Sequence, residues 1–135
     1  MLSLTAQTRI RLARPSSDLE AAERFYGQGL GLSVLHRHIA TSDAEFSLLM
    51  LGLPGASWHL ELTHSARHRV TPTPSADDLL VLYLGTAAPE STVKQLEACG
   101  GVRVAALNPY WDEWGVTFED PDGYRLVLCR RDWSV

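Results

Sequence analysis

The stretch Trp58-His59-Leu60-Glu61-Leu62-Thr63 alternates apolar and polar residues, the period of a strand with two unlike faces. Trp58, Leu60 and Leu62 can pack on helices, which leaves His59, Glu61 and Thr63 together on the other, concave face. A carboxylate there can take up a proton, so Glu61 is the candidate catalytic residue, as a general base. His59 and Glu61 supply only two donors from one strand, which suits the lining of a pocket better than a metal site. Two further histidine pairs have ligand-like spacing. His36 and His38 share a strand face, and His64 and His68 have the separation that helices use for zinc. The second pair falls in a Pro-broken stretch, and both pairs read as surface histidines. The segment Asn108-Pro109-Tyr110-Trp111-Asp112-Glu113-Trp114-Gly115 concentrates three large rings in a turn-like loop. Tyr110, Trp111 and Trp114 suit a pocket rim that stacks on planar ligands, or else a loop that folds back on its own rings. Tyr83 shares its strand face with Leu79 and Val81 and joins the concave wall of the second half. Trp133 reads as packing at an edge or a subunit contact.

The elements that must position these groups follow from periodicity and breakers. Thr8–Ala13 reads as a strand, ended by Pro15 and the pair Ser16–Ser17. Asp18 caps a helix in which Leu19, Ala22, Phe25 and Tyr26 recur at helical spacing as far as Gly27–Gly29. Strands follow at Leu32–Ile39, Phe46–Leu51 and Trp58–Thr63. After a polar linker containing Pro72 and Pro74, the order repeats: a strand at Leu79–Leu84, a helix at Pro89–Gly100, then strands at Val102–Ala106, Val116–Glu119 and Tyr124–Cys129. The turn Asp120-Pro121-Asp122-Gly123 joins the last two. Module one covers about residues 8–64, the linker about 65–77 and module two about 78–131. The expectation is one α+β domain: two βαβββ modules forming a cupped, mostly antiparallel eight-stranded sheet with helices outside.

The whole chain narrows the class. Its 135 residues are 45% hydrophobic and 21% charged, ordinary for a globular domain. A net charge of −4 gives no general attraction to nucleic acid or to anionic lipid. Arg67–Arg69 and Arg130–Arg131, the only basic stretches, read as solvated surface. No apolar run is long enough to span a membrane, and Met1 to Gln7 has no signal-peptide pattern. Cys99 and Cys129 read as buried free thiols suited to a reducing compartment, so a cytoplasmic protein is expected.

Several motifs then meet in order. Asp18-Leu19-Glu20-Ala21-Ala22-Glu23-Arg24-Phe25-Tyr26 followed by Leu30-Gly31-Leu32 resembles the first-helix signature of the vicinal-oxygen-chelate superfamily. Glu119-Asp120-Pro121-Asp122-Gly123-Tyr124-Arg125-Leu126-Val127-Leu128 resembles its terminal hairpin, and Leu60-Glu61-Leu62-Thr63 resembles the fourth strand of glyoxalase I. With the duplication, the resemblance covers nearly the whole chain. Gly52-Leu53-Pro54 and Asn108-Pro109-Tyr110-Trp111 look like a small bacterial subgroup of that superfamily. The resemblance implies a divalent metal held by four His, Glu or Tyr ligands, at positions that fall here on Arg11 (or Arg9), Glu61, Leu79 and Val127. Arginine, leucine and valine offer a metal no lone pair, so neither a metal nor another cofactor is expected. The resemblance also makes Arg11 and Glu61 neighbours, and it implies a homodimer, often with module one of each chain facing module two of the other. Arg11 and Glu61 then form either a structural ion pair inside the cup or a fork of donors for an anionic or carbonyl-bearing ligand.

Three functions compete on these residues. The first is a metal-free binding protein that holds a small organic molecule between cupped sheets, with Arg11, His59, Glu61, Thr63, Tyr83, Tyr110, Trp111 and Trp114 as its lining. The second is a metal-dependent lyase, isomerase or dioxygenase of the glyoxalase type. The third is a scaffold or regulatory subunit whose cup is closed by its own side chains.

Overall fold

The computed structural model describes residues 1–133. Module one runs β1 (Ile10–Pro15), α1 (Leu19–Glu23), β2 (Ser33–His38), β3 (Ser47–Gly52) and β4 (Trp58–His64). Module two repeats it with β5 (Leu79–Tyr83), α2 (Glu90–Ala98), β6 (Val102–Val104), α3 (Pro109–Trp114), β7 (Gly115–Glu119) and β8 (Arg125–Cys129). The eight strands do not make one sheet. They form two four-stranded sheets, ordered β1-β4-β3-β2 and β5-β8-β7-β6. The first and last strands of each module pair in parallel and all other pairs are antiparallel. β1 and β5 are both edge strands, and neither hydrogen-bonds to the other to close an eight-stranded sheet.

Local chemistry accounts for the elements. Asp18 caps α1 by accepting the Ala21 N–H at 3.1 Å. The helix then winds into a π-type turn, Arg24–Gly29, where the Leu30 N–H reaches the Phe25 carbonyl at 2.9 Å. This turn meets α2 closely: a Cβ on Gly29 would lie 3.2 Å from both Cys99 Cβ and Leu96 Cδ2. Pro15 does not break β1, contrary to expectation. It closes an edge strand, where a missing N–H costs little, and the Ser16 N–H resumes the pairing with the Thr63 carbonyl at 2.8 Å.

The face assignment of β4 is as expected. Leu60 and Leu62 are fully buried with Leu49 and Leu51 beneath Ala22, Phe25 and Tyr26. Phe118, Leu126, Leu128, Val93 and Leu96 of module two belong to the same core. The helices therefore meet each other between the modules as well as covering the sheets. A polar latch reinforces that junction. Tyr26 Oη donates to Asp120 Oδ2 at 2.6 Å, Ser16 Oγ donates to Asp122 Oδ2 at 2.6 Å, and the Ser17 N–H donates to Asp122 Oδ1 at 2.8 Å. Burial raises the Tyr26 phenol well above its ordinary pKa, with the neighbouring Asp120 charge acting the same way. Cys99 and Cys129 are both buried free thiols.

The expected aromatic loop is a short helix, α3. Asn108 Oδ1 accepts the Tyr110 N–H at 3.0 Å and Pro109 occupies the first turn, a standard start signal. Gly115 then lets β7 run against β8, because a Cβ there would sit 2.3 Å from the Leu128 carbonyl oxygen.

Candidate functional site

Pairing places the polar candidates of module one on one face. Arg11 lies opposite His59, Ala13 opposite Glu61 and Pro15 opposite Thr63 on the β1 side. On the β3 side, Met50 faces Glu61 and Leu48 faces Thr63. Arg11 Nε donates to His59 Nε2 at 3.0 Å, an acceptor role that leaves the ring proton on Nδ1. Its Nη1 lies 3.4 Å from Glu61 Oε2, and its Nη2 lies 3.9 Å from the Met50 sulfur. Three neighbours thus orient one guanidinium.

The Arg11–Glu61 pair is not the buried ion pair that one reading expected. The Arg11 side chain is 50% exposed and that of Glu61 14%, so the carboxylate sits in the wall and the guanidinium reaches outward. Arg9, the alternative position, instead donates to the Ala56 carbonyl at 3.0 Å. Met50 escaped the sequence reading although its signal was present: it alternates with buried Leu49 and Leu51, which turns it to the Glu61 side. His36 and His38 are in register with Met50 and Leu48 but lie on the far edge strand β2, with β3 between them and Glu61. His38 is engaged with Glu45 at 3.4 Å.

The aromatic candidates gather separately, on module two. Tyr83 lies 6.5 Å from Trp111 and 6.4 Å from Trp133 between ring centroids. Tyr110 meets Trp111 edge-on at 5.0 Å and Trp114 at 6.5 Å. The Arg130 and Arg131 guanidiniums each lie 4.6 Å from the Trp114 ring, so this pair is not simply solvated. α3 packs on β7 and β8. Thr117, Val127 and Cys129, on the face of this sheet opposite its helix-packed Phe118, Leu126 and Leu128, are fully buried. On this wall Val127 is fully buried and Leu79 and Val81 are partly buried, so much of it is already covered. Thr117 Oγ1 is buried there without a hydrogen-bond partner. Among the described residues, no hydrogen bond, ion pair or ring contact joins this cluster to Arg11, His59 and Glu61.

The donor set does not fit a family-type divalent metal. Arg11 and Glu61 stand together as expected, but Arg11 offers only N–H groups and no lone pair, and Leu79 and Val127 carry no ligand atom. Among the described residues, no group of three or more His, Cys, Asp or Glu converges. No helix among them is long and apolar enough to cross a membrane.

Two βαβββ modules with parallel outer pairs and a polar face on β4 define the vicinal-oxygen-chelate fold, the class of the glyoxalases and bleomycin-resistance proteins. Glyoxalase I of Leishmania major superposes with a TM-score of 0.69 at 19% identity, over 96% of this chain and 88% of that one. TnmS3, an antibiotic-binding protein from Streptomyces sp. CB03234, superposes with a TM-score of 0.61 at 23% identity, over 98% and 99%. Within that class the chain belongs to the YycE-like family: residues 10–63 match the YycE-like N-terminal domain and residues 77–130 the YycE-like C-terminal domain. It is 38% identical to YycE of Bacillus subtilis over 121 residues, 89% of this chain and 86% of that protein. The crystal structure of YycE superposes with a TM-score of 0.80 at 34% identity, over 95% of this chain and 93% of that one.

Proposed function

We propose that the chain is a metal-free, glyoxalase/bleomycin-resistance-like protein that binds a small organic molecule carrying an anionic or carbonyl group. The observation that carries the reading is Arg11. It is steered by His59, Glu61 and Met50, yet half exposed, so N–H groups remain for a ligand. Glu61 acts in this reading as the carboxylate that holds the fork in place, and Thr63 extends the wall along β4. Tyr83, Tyr110, Trp111 and Trp114 supply the apolar, stacking half.

The two halves meet in a homodimer, with module one of each protomer facing module two of its partner. Support comes from β1 and β5, which each leave an open edge, and from Ile10 and Leu12, 62% and 44% exposed on β1. The antibiotic-binding function of the TnmS3 relative is in keeping with a cup that sequesters and performs no chemistry.

A calorimetric titration with 1-naphthoate and with neutral 1-naphthamide, in the presence of EDTA, tests the reading. The acid is expected to bind more tightly than the amide, and Arg11→Met to weaken the acid by about tenfold, the scale of a charge-assisted hydrogen bond. Equal binding by wild type and Arg11→Met, or binding abolished by EDTA, would overturn it.

A further inference from the structure

Module one carries a second polar opening, away from the Arg11 corner. Ser17, His64, Arg69, Val70 and Thr71 line a cleft of about 300 Å³ between the start of the linker and the β1–α1 turn. The linker is anchored where it forms this wall. The Arg67 N–H donates to the Asp43 carbonyl at 3.0 Å, the His68 N–H donates to Ser65 Oγ at 3.1 Å, and the His68 ring stacks on Phe46 at 5.7 Å. Arg69 is thus presented from a fixed backbone, and its guanidinium has no hydrogen-bond or ion-pair partner among the described residues.

The other groups are also unspent. His64 Nδ1 donates to the Ser16 carbonyl at 3.1 Å, which fixes the ring and leaves Nε2 free. The Ser17 and Thr71 hydroxyls make no hydrogen bond among the described residues. The carboxylate bonded to the Ser17 N–H, that of Asp122, also accepts from Ser16 Oγ and is not among the residues lining the cleft. The guanidinium fork and two hydroxyls are donors, whereas His64 Nε2 is an acceptor, which a carboxylate has no hydrogen to satisfy. Together they match a tetrahedral oxyanion, whose P–O oxygens accept from the guanidinium and hydroxyls while a P–OH donates to Nε2.

We infer that this cleft is a phosphate site, taking the free ion or the phosphoryl end of a small metabolite, independent of the Arg11 corner. The test is an NMR titration of the whole protein with inorganic phosphate and, separately, with glycerol 3-phosphate, at constant ionic strength set with chloride. Saturable shifts at Ser17, Thr71 and the His64 imidazole are expected, weakened about tenfold in Arg69→Ala and unchanged in Arg11→Met. Tighter binding of the ester identifies the metabolite source and equal binding the free ion. Because Arg69 is exposed, its loss should leave the remaining spectrum native. The inference fails if phosphate causes no saturable shift at those residues, or if Arg69→Ala binds it as tightly as the wild type.

Discussion

Asp120 is where one residue's environment has a measurable consequence. Its carboxyl is held above the ordinary carboxylate range because burial penalises the charge. That outweighs the hydrogen bonds from Tyr26 Oη and from the Asp122 and Tyr124 N–H groups. Folding therefore favours the protonated form more than the unfolded chain does. Stability from this group is fully present below 3.8, its ordinary value, and is lost as pH rises through the raised folded value. Asp120→Asn removes the titration and keeps an acceptor for the two backbone N–H groups. Urea unfolding at pH 3.5 and pH 7 should show the variant gaining stability relative to wild type as pH rises; a constant difference would contradict this. Residues of this kind were only partly legible. The alternation in Trp58–Thr63 identified the shared face of His59 and Glu61, but it carried no register. Hence Arg11, expected beside Glu61, proved to lie directly opposite His59 and to reach Glu61 diagonally.

At the scale of elements, α3 is the clearest case of a signal present and misweighed. Asn108 followed by Pro109 is a helix start, yet three rings in a row of polar residues suggested a loop. The structure makes the cap functional in packing, since α3 carries Tyr110, Trp111 and Trp114 onto β7 and β8. Asn108→Ala should lower unfolding stability by about 1 kcal/mol and shift tryptophan emission to the red as the rings loosen. An unaltered emission maximum with an unaltered unfolding midpoint would show that the cap does not hold the cluster. The π-type turn after α1 was not legible, because nothing in Phe25–Gly29 distinguishes it from an ordinary helical end until α2 is packed against Gly29.

For the whole molecule, the duplication was legible from element order alone, and the superfamily from motifs in sequence. Whether eight strands make one sheet or two was not, because that depends on β1 and β5 hydrogen-bonding across a distance that local pattern does not encode. The proposed homodimer belongs to this scale. Ile10 is 62% exposed on an unpaired edge, so Ile10→Lys should leave the monomer folded while converting the dimer to monomer in sedimentation velocity. A wild-type chain that sediments as a monomer at about 100 μM, well above the Kd expected of a specific interface, would remove the dimer from the account.

The latch between Tyr26 and Asp120, with Ser16 and Ser17 on Asp122, spans 94 to 106 residues of chain. During synthesis, the first half leaves the ribosome with Phe25, Tyr26 and Ala22 still lacking Val93, Leu96, Phe118, Leu126 and Leu128 of their shared core. Their native packing and the latch need residues at and beyond the turn at 120–124, so this junction forms only after both modules have been made.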